Sequence, residues 1–209
     1  MTRVVRADAA AALGAASDAL AGGGLVVVPT DTVYGLAARP RDPEAVRAVY
    51  RAKGRPEGMH LPVLAADVDQ VRALGVAYGP VAQVLAGRWW PGPLTLAFAF
   101  EPGSARPEWL AGRDEVAVRI PDHEFLRSLL AKTGVLVVTS ANPHGSPTPR
   151  RAQDVADGDL GPSVEVIIDG GSLTEVPSTL VNVSGPSAVV ERKGAIPAEE
   201  IAAALSGVR

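Results

Sequence analysis

Short apolar runs rich in Val, Ile and Leu recur along the chain at residues 25–28, 61–64, 94–98, 116–120, 135–138, 164–168, 180–183 and 189–190. Each is closed off by Gly, Pro, Ser or Asp, which predicts strands. Helical patterns lie between several of them. Asp42-Pro43-Glu44 supplies a cap, a first-turn proline and a first-turn acid for a helix that runs to about Lys53, where Gly54 stops it. Further helices are predicted over residues 7–21, 81–88, 124–132 and 198–205. The alternation predicts an α/β domain with a mixed sheet. The strands after Val164 have no helix between them and are expected to pair antiparallel. Residues 143–162, rich in Pro, Gly and Asp, read as a long polar loop of the kind that carries function.

Composition narrows this picture. With 209 residues, 47% of them hydrophobic and 21% charged, the chain suits one compact domain with a continuous core. The net charge of -3 supplies no global basic field, so broad nucleic-acid or membrane-surface binding has no support from charge, although a local basic groove stays open. There is no cysteine, which excludes a disulfide framework, a zinc-thiolate site and thiol catalysis. The opening MTRVVRADAA lacks the apolar core of a signal peptide, and the apolar runs are too short to span a bilayer. A cytoplasmic protein without a membrane partner is expected. His60, His123 and His144 are widely spaced and give no ligand pattern, so no protein-held metal is expected. The P-loop, dinucleotide-fingerprint, zincin and nucleophile-elbow patterns are all absent.

Several stretches nevertheless concentrate chemistry. In VVVPTDTVYGLAARP, residues 26–40, a buried strand runs into a loop carrying Thr30, Asp31, Thr32 and Tyr34. In RAKGRP, Lys53 and Arg55 flank a glycine past a helix end, where both cations can face one anion or simply complement the helix dipole. TSANP places Ser140 and Asn142 where a strand ends, a position equally suited to a ligand crevice and to an ordinary turn. Arg119 interrupts the apolar run VAVRIP and either faces solvent or meets a buried anion. WWPGPLTL, residues 89–96, reads more readily as a packed core corner than as a base-stacking platform. IIDGG, then VPSTLVNVSG with Ser178 and Thr179, and finally VVERKGAIP with Arg192 again set polar groups at strand ends.

In this order, PTDTVYGL, KGRP, WWPGPLTL, VAVRIP, TSAN, IIDGG with PST, and ERKGAIP resemble the YrdC/Sua5 family of threonylcarbamoyl-AMP synthases over residues 24–197. The resemblance implies a YrdC-like fold, a twisted mixed α/β sheet with flanking helices around a concave face. It implies an enzyme that condenses L-threonine, bicarbonate or CO2 and ATP into threonylcarbamoyl-AMP and pyrophosphate for the t6A base of tRNA. The chain looks like the single-domain form, without the C-terminal domain of longer relatives. Carried over by motif, Thr30, Thr32, Tyr34, Arg119, Ser140 and Ser178 would contact threonine, with Arg119 on its carboxylate. Lys53, Arg55, Asn142, Thr148 and Arg192 would contact ATP, with Mg2+ arriving on the nucleotide. No general acid or base is indicated. A downstream tRNA threonylcarbamoyl-transferase complex is the implied partner, and a weak contact with tRNA is left open.

The chain departs from the family pattern in three places. Met59 and Leu64 stand where many members carry an asparagine on ATP and a histidine on threonine, and His144 replaces a more usual serine. These departures support a rival reading, a YciO-like or carbamoyl-adenylate-forming paralogue. A non-catalytic RNA-binding module is a second rival, which the net acidity disfavours.

Overall fold

The computed structural model describes residues 2–56, 58–173 and 176–207. Within them the chain runs β1 (Arg3–Arg6), α1 (Ala12–Ala21), β2 (Val26–Val28), β3 (Gly35–Ala38), α2 (Pro43–Lys53), β4 (Val63–Leu64), α3 (Val68–Arg72), α4 (Pro80–Trp89) and β5 (Leu94–Ala99). It continues through β6 (Glu115–Arg119), α5 (Glu124–Thr133), β7 (Leu136–Ser140), α6 (Ala152–Ala156), β8 (Val166–Asp169), β9 (Thr179–Asn182), β10 (Val189–Arg192) and α7 (Ala198–Leu205). The strands form one mixed sheet in the order β1-β8-β2-β3-β7-β4-β6-β5-β9-β10. The expected mixed α/β class is the one observed. No helix among the described residues is long and apolar enough to cross a membrane.

Local sequence explains the clearest elements. The Asp42 side chain accepts hydrogen bonds from the Glu44 and Ala45 N–H groups at 3.0 and 3.1 Å, satisfying donors that the first turn of α2 leaves open. Gly54 ends the same helix in the left-handed conformation at φ 59°. In WWPGPLTL the packing reading holds for Trp90, which stacks obliquely on Phe98 at 6.3 Å while its indole N–H donates to the Leu94 carbonyl at 2.7 Å.

Alternation of side chains across each strand divides the core between two faces. Val27, Val137 and Ile167 point to one face, where α2, α4, α6 and α7 cover the sheet. Their neighbours Val26, Val28, Leu136, Val138, Val166 and Ile168 point to the other, against α1 and α5. That second layer draws on β2, β3, β4, β7 and β8 but on no residue of β5, β6 or β9. Helical cover therefore stops part-way across the sheet.

Two strands and one pairing differ from the sequence expectation. β1 is a four-residue edge strand of mostly exposed residues, too polar for the apolar-run criterion. β3, with the sequence GLAA, lies between β2 and β7 and is wholly buried, although its small residues have low strand propensity. Its Gly35 is required by space, since a Cβ there would come within 2.5 Å of Val138 Cγ1. β8 does not pair antiparallel with the next strand but lies parallel to β1 and β2. A parallel partner needs a crossover, and α6, folded inside the supposed loop 143–162, supplies it. The antiparallel expectation does hold for β9 and β10.

Candidate active site

Where the α1/α5 layer ends, the half of the sheet without helices on this face forms the wall of a cavity of about 330 Å³. Gly35 on β3 and Ser178 just before β9 both line it, although five strand spacings separate β3 from β9. In a flat sheet that distance would be about 24 Å at 4.8 Å per strand. One small cavity can touch both only because the sheet curls around it. Thr95 on β5 and Arg119 on β6 reach the cavity because they occupy the face opposite Leu96 and Val118, which point into the core.

Of the eleven residues expected at a ligand, eight line this cavity: Thr30, Thr32, Arg55, Arg119, Ser140, Thr148, Ser178 and Arg192. Leu64, Val138, Pro62 and Pro177 give it an apolar wall. The mix of apolar surface with a few converging polar groups is that of a small-molecule site.

Arg119 anchors one side. Its Nε donates to the Gly92 carbonyl at 2.9 Å, one terminal nitrogen donates to Thr32 Oγ1 at 2.8 Å, and the other pairs with the Asp31 carboxylate. Burial pushes its pKa down, and the Asp31 charge opposes that shift. A carboxylate partner was required for a buried guanidinium, but it is Asp31 of the protein, where the resemblance selects the carboxylate of threonine. Asp31 also accepts from the Asp122 N–H at 3.1 Å, so the PTDT loop and the exit of β6 are tied together. Three of the five Arg119 N–H groups are thereby engaged. Thr30 Oγ1 in turn donates to the Val33 carbonyl at 2.7 Å and contacts Thr32 Oγ1 at 3.0 Å.

The opposite side is a second web. Ser178 Oγ lies 2.7 Å from Thr95 Oγ1 and accepts from Arg192 at 3.0 Å, while Arg192 Nε donates to the Ser178 carbonyl at 3.1 Å. Gly194 makes this possible, because a Cβ at that position would fall 2.4 Å from the Pro177 carbonyl oxygen and the Ser178 carbonyl carbon. Thr95 and Thr139 were not singled out from sequence. The available signal was a single hydroxyl inside an otherwise apolar run, Thr95 in LTLAF, and the hydroxyl pair Thr139-Ser140 that closes VVTS.

Lys53, Tyr34 and Asn142 do not line the cavity. The Lys53 ammonium donates to the backbone carbonyls of Ser140 and Asn142, bolting the end of α2 to the exit of β7. Burial lowers its pKa to about 8, with the Arg55 charge adding to the effect. Tyr34 is fully buried, its hydroxyl donating to the Gly171 carbonyl at 2.7 Å and accepting from the Gly170 N–H at 3.1 Å. Burial raises its pKa. Asn142 donates through Nδ2 to the Pro143 and Ser146 carbonyls and so shapes the turn after β7. These three read as ligand contacts from sequence because they sit inside the same motifs as the lining residues. The Lys53 ammonium, the Tyr34 hydroxyl and the Asn142 amide nitrogen are taken up by backbone partners instead, while Asn142 Oδ1 is buried without a hydrogen-bond partner.

Arg55 is held more loosely, donating to the Met59 and His60 carbonyls at 3.3 Å each, beyond the usual N–H···O range. Leu64 lines the cavity and stands in register with Arg119, so an apolar side chain occupies that place on the wall. Met59 and His60 are exposed, and the His144 N–H donates to the Lys53 carbonyl at 2.7 Å.

A family model described as Sua5/YciO/YrdC, telomere recombination, matches residues 18–194. The chain belongs to this family. Two relatives from the Sua5/YciO/YrdC family are the threonylcarbamoyl-AMP synthases of Bacillus subtilis, 37% identical across 88% of this chain, and of Pyrococcus abyssi, 38% identical across 90%. Those matches cover 54% and 55% of the two enzymes, so the chain spans about half the length of these relatives. The crystal structure of P. abyssi Sua5 complexed with L-threonine superposes with a TM-score of 0.88 at 35% identity, over 100% of this chain and 62% of that one. The YrdC-like fold is thus shared.

The residues lining the cavity include no carboxylate and no imidazole for Mg2+. Among the described residues no three His, Cys, Asp or Glu side chains converge, and the lining residues are hydroxyls, guanidinium groups and apolar side chains. With such a lining, Mg2+ would be held by a bound nucleotide and water.

Proposed function

We propose that this chain is an L-threonylcarbamoyladenylate synthase, a nucleotidyltransferase that forms threonylcarbamoyl-AMP and pyrophosphate from L-threonine, bicarbonate or CO2 and ATP, for t6A on tRNA. The observation that carries the reading is the convergence of Arg55, Arg119 and Arg192 with the hydroxyls of Thr32, Ser140, Thr148 and Ser178 on one cavity. The relatives bearing that enzyme name and the threonine complex of a family member support it.

The chemistry asks for positioning and charge. The neutral amine of threonine forms a bond to the carbon of CO2, giving a carbamate after loss of a proton. A carbamate oxygen then attacks the α-phosphorus in line as the bond to the pyrophosphate oxygen breaks. Catalysis of such a transfer rests on orientation and on cations that offset the developing charge. Arg55 and Arg192 supply those cations at the cavity. Arg119, fixed by Asp31, Thr32 and the Gly92 carbonyl, presents its remaining N–H groups to a carboxylate without being able to swing away. Leu64 and Val138 keep water from the carbamate. The product is unstable in water by its chemistry, which fits direct hand-over to a tRNA-modifying partner in the same compartment, the cytoplasm.

The test is incubation of the protein with ATP, Mg2+, bicarbonate and threonine, with the adenylate followed by mass. Pyrophosphate release that requires threonine is expected, and release indifferent to threonine would overturn the assignment. Leu64 on the cavity wall favours one alternative, the same chemistry on a different acceptor. A panel of amino acids and carbamoyl donors in the pyrophosphate assay separates the two.

A further inference from the structure

On the opposite face of the sheet lies a second cavity of about 400 Å³, lined by Arg47, Tyr50, His60, Trp109, Arg113 and Val137 among others. Val137 and Val138 are consecutive on β7 and point to opposite faces, which places this cavity behind the candidate active site rather than within it.

Its chemistry has one unmet demand. Arg113 Nη1 is buried and has no hydrogen-bond partner. Burial lowers the Arg113 pKa, while the nearby Tyr50 opposes that shift. No carboxylate lines the cavity. Glu44, on the exposed side of α2, is paired with Arg47. A guanidinium N–H withdrawn from water without an acceptor is costly, and buried polar groups of native proteins are normally satisfied. Around it stand two further basic side chains, Arg47 and His60, and two aromatic ones, Tyr50 and Trp109. The unpartnered guanidinium nitrogen of Arg113 selects an oxyanion, for which a guanidinium fork is well shaped. The indole and phenol rings, with Val137 at the base, offer a slot for a flat apolar group.

We propose that this cavity binds a small organic phosphate, a planar ring carrying a phosphate monoester, with Arg113 on the phosphate and Trp109 against the ring. The proposal stands apart from the assigned reaction. The two sites share one segment, because His60 lines this cavity while its carbonyl and that of Met59 hold Arg55.

The test uses phenyl phosphate and inorganic phosphate as probes, read from the indole N–H signal of Trp109, which Trp109→Phe assigns. A saturable shift with phenyl phosphate is expected, with weaker binding of inorganic phosphate. Arg113→Gln should lower the affinity roughly tenfold or more, the share of one charge-assisted hydrogen bond. Arg113→Lys, which keeps the charge and stem, should lower it less and guards against a folding artefact. Arg192→Ala, in the other cavity, should leave it unchanged. Absence of a saturable Trp109 shift in the wild-type protein would overturn the proposal. So would a shift that survives Arg113→Gln but vanishes in Arg192→Ala, since the phosphate would then be bound at the first cavity.

Discussion

Two sets of polar residues come from the same motifs and do different work. Arg55, Ser140, Thr148 and Arg192 face the cavity, whereas Lys53, Tyr34 and Asn142, in some cases two residues away in sequence, bind backbone behind it. The first set offers groups to a ligand. The second braces the strand ends from which the first set projects. A change in the lining set should appear in ligand affinity, and one in the bracing set should appear in stability.

Arg119 belongs to both sets, and its removal should have the largest effect. Arg119→Leu leaves Asp31 without its cation in a largely buried position and should cost about 3–5 kcal/mol of stability, measured by urea unfolding, together with threonine binding. A variant of unchanged stability would place Arg119 in the lining set alone. Arg55→Ala tests the other extreme. ATP affinity measured by calorimetry should fall by about 1.5–3 kcal/mol, one charge-assisted contact, with the unfolding midpoint unmoved.

Tyr34→Phe is the converse experiment. It orphans the Gly170 N–H and the Gly171 carbonyl and should cost about 1–3 kcal/mol in stability while threonine and ATP affinities in the folded protein stay level. A selective loss of threonine affinity would move Tyr34 into the lining set. The smallest effect concerns pH. Lys53 has its pKa lowered from 10.5 to about 8 in the folded protein, so between those values the unfolded chain holds more protons. Its contribution to stability therefore rises with pH across that window. The slope should be a fraction of about 1.4 kcal/mol per pH unit, because the Ser140 and Asn142 carbonyls favour the ammonium. Comparison with Lys53→Met by urea unfolding at pH 8 and 10 isolates it, and equal slopes would refute it.

Much of this architecture is legible in the chain. The cap at Asp42 and the stop at Gly54 define α2 because both are local devices, and seven motifs in order point to the family. The legible part ends where tertiary context takes over. Gly-Leu-Ala-Ala makes a central strand only because β2 and β7 close on both its sides. The crossover that turns β8 parallel hides in a five-residue helix within a polar stretch. The partner of Arg119 could be required from sequence but not identified, since Asp31 lies 88 positions away. Motif spacing likewise cannot separate a lining residue from its brace. Both are constrained, and only the direction of the side chain distinguishes them.

The unequal helical cover of the sheet bears on its motions. Where α1 and α5 end, β5 and β6 carry no helix on the cavity face, so a bound ligand would serve there as a temporary third layer. Amide exchange should therefore be faster in β6 than in β2 when the protein is empty, and occupancy should slow it in β6 far more than in β2. Ligand binding would then register as local rigidity, concentrated in the strands that have no helix on the cavity side.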